Sequence, residues 1–213
     1  MPAWLKFGTA LRCVDHAVEA ITSQAAAPET VELGLSGLKG VRNGILAMAA
    51  EGADSSAGDP EAEAAAAAAV YRGGMEAMRA FTLIGYGAGH FLENHFSARF
   101  GLHQGACSSM LMWRMLHHHR HASAGAQAQI VETLAAGDAA EAQKSAARLI
   151  FELCAATPGM PTKFPETIDG RELTMFAKYM FGDHVDTLNR LCPEDFYSTE
   201  DVLALLQTEP ELL

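Results

Sequence analysis

Between Gly85 and Met112 the chain concentrates the side chains best suited to chemistry: His90, Glu93, Asn94, His95, His103 and Gln104 lie between two apolar segments. Three of the nine histidines fall in this stretch. Imidazole ligates metals and titrates near neutrality, a carboxylate binds cations or moves protons, and amides orient polar ligands. The mixture suits a metal site or an acid/base pocket. A second set lies near the N-terminus, where Arg12 and His16 are four residues apart, as are Asp15 and Glu19. On a helix each such pair shares a face. Arg12 has carboxylates within helical reach only at Asp15 and Glu19, so an intrahelical ion pair is its simplest fate. The run from His117 to His121 resembles a metal box, but consecutive histidines fan around a helix and only His117 and His121 share a face, which makes it an exposed helix end.

The elements that must position these residues read as helices. Leu11, Val14, Val18 and Ile21 set a three/four spacing over residues 9–24, and Pro28 starts a second helix over 28–49. Residues 51–60 form a loop rich in Gly, Asp and Ser. Residues 61–81 contain six consecutive alanines, with Val70, Tyr71, Met75, Met78 and Phe81 as a face to bury. Helices follow over about 89–99, 106–121, 126–136, 139–155, 173–191 and 202–206. Asp138 is the expected cap of the helix over 139–155, and Ser198 that of the last helix. The glycines at 85, 87 and 89 weaken a helix but let backbones approach. No stretch alternates with period two, so the expected architecture is an all-α multi-helix bundle, one domain over residues 1–213.

With 213 residues the chain is long enough for a substantial core. Fifteen Lys and Arg against 26 Asp and Glu give a net charge of −11, which disfavours nucleic acid and anionic membrane surfaces. No run approaches the roughly 18 apolar residues of a membrane span. The start lacks a secretory signal, and Cys13, Cys107, Cys154 and Cys192 form no CxxC pair, so cytoplasmic free thiols are expected.

The order of motifs resembles the helical C-terminal domain of the iron-containing alcohol dehydrogenases, a superfamily that includes maleylacetate reductases and shares the dehydroquinate synthase-like fold. Leu11 to Ala20 is similar to the family's first metal-binding helix, and Gly87 to Gly105 aligns without a gap with its Gly-x-x-His-x-x-x-His and Pro-His-Gly block. Gly159-Met-Pro-Thr-Lys163, Asn189 and Ser198 to Leu203 resemble its later elements. The resemblance places the family's four metal ligands, one Asp and three His, on Arg12, His16, His90 and Gln104. Its further active-site His falls on Asn94. Two ligands are thus lost, and a permanent cation stands where a carboxylate should be. The chain also has no glycine-rich turn between a strand and a helix to hold a dinucleotide.

These departures set the functional expectations. No metal and no cofactor are expected. Arg12, His16 and His90 are the expected catalytic groups, with Glu93, Asn94, His103, Gln104 and Trp113 around a small organic substrate. His95 should point to another side, because a helix turns by about 100° per residue. The leading reading is a non-redox enzyme carrying out isomerisation, cyclisation or elimination. The alternatives are a helical subunit of an NAD(P)-dependent oxidoreductase and a non-catalytic binding module. A homodimer or heteromer is expected to cover the face left by the missing nucleotide domain.

Overall fold

The computed structural model describes residues 2–53, 59–191 and 198–213, and among these every regular element is helical. The chain starts with α1 (Ala3–Thr22), α2 (Pro28–Ala53) and α3 (Pro60–Ile84), continues through α4 (Ala88–Phe100), α5 (Gln104–His118) and α6 (Ala124–Ala135), and ends with α7 (Ala146–Ala156), α8 (Gly170–Leu191) and α9 (Thr199–Leu206). Short 3₁₀ turns lie at Glu141–Gln143 and Pro210–Leu212. The all-α expectation is met.

α1 is the axis of the first core. Its Leu11, Val14, Val18 and Ile21 are buried as their spacing requires, against Leu38, Val41 and Ile45 of α2 and against side chains of α5, α6 and α7. α2 and α3 run antiparallel at very short range. An added Cβ on Gly37 would lie 2.7 Å from Ala77 N, one on Gly44 2.8 Å from Val70 N, and one on Gly73 2.7 Å from Val41 N. Small residues at these crossings let the two backbones touch, and alanine elsewhere on α3 supplies helix propensity.

α5 divides the molecule. Every residue from Cys107 to Leu116 is buried, the pattern of a helix with no solvent face. Its Met112, Trp113 and Leu116 join the first core, while Met110, Leu111 and Met115 join a second one with Leu92 and Phe96 of α4, Phe176 and Met180 of α8 and Val202 and Leu205 of α9. Each large apolar side chain buried this way contributes about 1.5–3 kcal/mol. Half-exposed ion pairs such as Arg148–Glu152 contribute about 1 kcal/mol, so the cores hold the helices together. Within the buried wall, Arg114 lies between Trp113 and Phe164, its guanidinium carbon 4.0 and 4.5 Å from the two ring centres. Its Nε donates to Thr208 O at 3.0 Å, tying α5 to the C-terminal segment.

Helix ends follow their signals with one exception. Ser198 caps α9 by accepting from Asp201 N at 3.1 Å. Asp138 accepts from Ala140 N and Glu141 N, but these bonds close a turn rather than start α7. Ser145 caps α7, accepting from Arg148 N, so the expected helix over 139–155 begins at Ala146. Residues 54–58 of the expected loop, and Cys192, lie outside the described residues, as does the side chain of Asn189. Cys107 and Cys154 are buried free thiols, and Cys13 is partly buried.

The α2–α3 contact generates a prediction. Gly73→Ala should lose about 2 kcal/mol or more in urea unfolding, since its Cβ meets backbone that cannot yield. Gly125→Ala in α6, with nothing within 4 Å of its Cβ, should gain about 0.5–1 kcal/mol.

Candidate active site

Three helices present polar stripes to one another. α1 contributes Arg12, Asp15, His16 and Glu19 at i, i+3, i+4 and i+7; α4 contributes His90, Glu93 and Asn94; the start of α5 contributes Gln104 and Ser108. Each set follows the helical repeat, so each faces one direction.

The Arg12 guanidinium is the hub. Its Nη1 donates to Asp15 Oδ2 at 3.0 Å, to Ser108 Oγ at 3.1 Å and to Glu93 Oε2. Its Nη2 donates to Asn94 Oδ1 at 3.3 Å and to His90 Nε2 at 2.7 Å. Arginine has only donors, so His90 Nε2 is the acceptor and the ring carries its proton on Nδ1, which lies 3.4 Å from Asp15 Oδ2. Gln104 Nε2 donates to Asn94 Oδ1 at 2.9 Å, and Ser108 Oγ to Glu93 Oε2 at 2.7 Å. Only 12% of the Arg12 side chain is exposed.

Charge is apportioned by this geometry. Burial opposes ionisation of Asp15, yet the His90 hydrogen bond and the Arg12 charge hold its carboxyl below the usual range. Glu93 is fully buried, and burial together with the Asp15 charge pushes its pKa well above the usual value. One buried cation cannot balance two buried anions cheaply, so Asp15 carries the negative charge and Glu93 keeps its proton.

Glu19, one turn beyond Asp15, caps α4. Its Oε2 accepts from Gly87 N at 3.1 Å and its Oε1 from His90 N at 2.6 Å. Burial and the Asp15 charge push its pKa up to about 8, against the pull of those two N–H groups. Gly87 and Gly89 are explained by this carboxyl, because a Cβ on either would lie 2.6 or 2.9 Å from Glu19 Oε1. Gly85 has a different reason, a φ of 75° at the end of α3. His16 stacks on Phe81 with ring centres 4.5 Å apart and lies 5.3 Å from the His90 ring. Burial, reinforced by Arg12 and His90 and opposed by Asp15, lowers its pKa to about 4, so it is neutral.

Of the eight residues expected at the site, the structure gathers Arg12, His16, His90, Glu93, Asn94 and Gln104. It places two elsewhere. His103 caps α5, its Nδ1 accepting from Gly105 N at 3.1 Å, and meets Trp4 edge-on. Trp113 is in the first core, edge-on to Phe151. His95 does point away, bonding Tyr179 OH at 3.1 Å. Asp15, Glu19 and Ser108 are members that the sequence reading left out. The i, i+3, i+4, i+7 stripe on α1 was the available signal for the first two.

A cavity of about 460 Å³ opens beside the network, lined in part by Asp15, Glu19, Tyr86, Met115, His119 and Arg190. Arg12, His16, His90, Glu93, Asn94 and Gln104 do not line it. The substrate site expected around Arg12 and the two histidines is instead a packed network behind this opening, and Asp15 belongs to both.

The fold and the motifs define a class that comparison with known proteins makes specific. The profile of the Fe-containing alcohol dehydrogenase family, C-terminal, matches residues 7–209, and the chain belongs to this family. The iron-containing alcohol dehydrogenase from Corynebacterium glutamicum superposes with a TM-score of 0.76 at 14% identity, over 100% of this chain and 55% of that one. Alcohol dehydrogenase from Oenococcus oeni gives 0.77 at 17% identity, over 97% and 52%. Maleylacetate reductase from Rhizobium sp. strain MTP-10005 gives 0.75 at 14% identity, over 97% and 53%. The chain thus spans about half the length of these proteins, and at such identities the likeness concerns the fold. No curated protein sequence matches the chain.

The family's description implies iron. Among the described residues only Asp15, His16 and His90 form a cluster able to hold an ion, with one ligand atom from each within 4.8 Å of the others. The Arg12 guanidinium already bonds the Asp15 carboxylate and His90 Nε2, and a divalent ion beside it would meet several kcal/mol of repulsion. The residues present do not fit the metal.

The buried carboxyls predict a pH profile for stability. Folded Glu19 keeps its proton to about pH 8, whereas the unfolded group releases it near 4.5, so the folded state binds more protons in between and loses stability as pH rises. His16 acts oppositely, its contribution being present above 6.5 and lost as pH falls through about 4. The two offset each other between about 4.5 and 6.5. Urea unfolding should therefore show stability falling from pH 6.5 to 8 by up to about 1 kcal/mol per unit from Glu19, with Glu93, which also keeps its proton when folded, adding to the fall. Glu19→Gln should make that limb less steep, leaving the Glu93 share.

Proposed function

We propose that this chain is a metal-independent member of its family that binds a small organic acid in the cavity beside α1 and promotes a non-redox proton transfer, as in isomerisation, cyclisation or elimination. The observation that carries the reading is a pair of carboxyls, Asp15 and Glu19, one helical turn apart on the cavity wall with their proton affinities driven in opposite directions. Such a split assigns roles. Asp15, ionised and steadied by Arg12, is the base; Glu19, protonated at neutral pH, is the acid. When Glu19 gives up its proton, the N–H groups of Gly87 and His90 receive the new charge. Arg190 is the only Lys or Arg among the described lining residues, a counter-ion for a substrate carboxylate. Arg12, His16 and His90 become positioning groups in this reading, since the guanidinium is committed to the chain's own acceptors.

The reading is tested by exchange of carbon-bound hydrogen next to a carbonyl, followed by NMR in deuterated buffer with a panel of small keto acids and no added cofactor. Asp15→Asn should slow exchange by about 100-fold or more, and Arg190→Ala should raise KM with little change in kcat. Exchange that is absent, or unchanged in Asp15→Asn, would remove the proposal.

One observation favours a second reading, in which the chain is the helical part of an NAD(P)-dependent oxidoreductase. It matches the C-terminal family profile and about half the length of dehydrogenases and a reductase. The nucleotide-binding part would then be supplied by another polypeptide or by sequence beyond these residues. NADH oxidation on adding a carbonyl substrate and a nucleotide-binding partner would support this reading over the first. A chain that binds ligands in the cavity but performs neither reaction would be a binding module.

A further inference from the structure

The Arg12 network has the composition of a metal site and the occupant of another kind of site. Asp15, Glu93, His90, Asn94 and Ser108 converge from three helices on a single positive group. Ligand-type atoms are left over, since His16 Nδ1 and Glu93 Oε1 are buried without a hydrogen-bond partner. The donor set is richer than one guanidinium uses, and its carboxyls make any loss of positive charge costly. Arg12 itself reaches this point from α1, one turn ahead of His16, so its Cα is where a further ligand on the same face would start.

We infer that the Arg12 guanidinium is a resident cation in the place of a metal ion: it binds the helices together as a coordinated ion would, it excludes divalent metals from the intact chain, and its removal creates a site for an external cation. Two classes of ligand fit. One is free guanidinium, which restores the planar donors. The other is a divalent ion that accepts nitrogen and oxygen ligands, such as Zn²⁺. A carboxylate at position 12 would favour the metal, because it adds a ligand in reach of His16 and His90 while deleting the competing charge. The inference rests on the network alone and stands whether or not the cavity supports proton transfer.

The test uses thermal unfolding and metal analysis of the full chain and two variants, Arg12→Ala and Arg12→Asp. The histidines from 117 to 121 are present in all three, so zinc content is read as the excess over wild type. Wild type should keep its Tm in EDTA, in zinc and in 20 mM guanidinium. Arg12→Ala should lose about 10 °C in Tm and recover several degrees in 20 mM guanidinium. Arg12→Asp should take up about one additional Zn²⁺ per chain, with a Tm that rises in zinc and falls on chelation. A wild-type Tm that drops in EDTA would overturn the inference, as would folded variants indifferent to both cations. Should neither variant fold in any buffer, the wild-type chelation result decides between the two outcomes.

Discussion

A guanidinium buried among carboxyl groups is the constraint on which the rest of the site depends. Arg12 cannot lose its charge, and it projects from the helix at the centre of the first core. Everything around it is arranged to make that charge tolerable. Asp15 stays ionised beside it, Glu93 holds a proton, Ser108 and Asn94 accept further bonds from Nη1 and Nη2, and His90 turns its free lone pair toward Nη2. Because these partners come from α1, α4 and α5, the same interaction fixes how α4 sits against the other two helices. Glu19 then extends the arrangement by one turn, capping α4 through Gly87 and His90. The glycines of α4 are a steric consequence of that cap.

The network also separates two functions that in a metal enzyme would coincide. Cation binding is internal, handled by groups with little access to solvent. In the proposed reading, ligand binding is left to the neighbouring cavity, which the Asp15 and Glu19 end of the same stripe lines. Membership of the alcohol dehydrogenase family therefore accounts for the helices and their packing without determining the chemistry, which depends on the particular side chains at the site.

Much of the fold was readable because long amphipathic helices announce themselves. Leu11, Val14, Val18 and Ile21 marked the buried face of α1, and Ser198 marked the start of α9. Asp138 misled because it satisfies the same backbone donors in a turn that it would satisfy at a helix start, and only tertiary packing decides that α7 begins at Ala146. At the site, the resemblance set Arg12 at the place of a family metal ligand, whereas the destination of its donors was not legible. Spacing showed that Asp15 could pair with Arg12. It could not show that Glu93, eighty-one positions away, would be sealed against the same group. His103 and Trp113 were misplaced for a related reason. A histidine in a turn can cap a helix as readily as line a pocket, and Trp113 packs edge-on to Phe151 in the first core while Met115 of the same helix lines the cavity.

The central claim, that Arg12 is coupled to buried carboxyls as a resident cation, is tested most directly by a double-mutant cycle between Arg12 and Glu93, measured by urea unfolding at pH 7. Arg12→Met alone should cost about 3–5 kcal/mol, because it leaves the buried Asp15 carboxylate without its cation and the Glu93 carboxyl without a donor. Adding Glu93→Leu should return part of that loss, giving a coupling of about 2 kcal/mol or more. Costs that add to within about 0.5 kcal/mol would show two independent residues, and the account of the site built on Arg12 would be wrong.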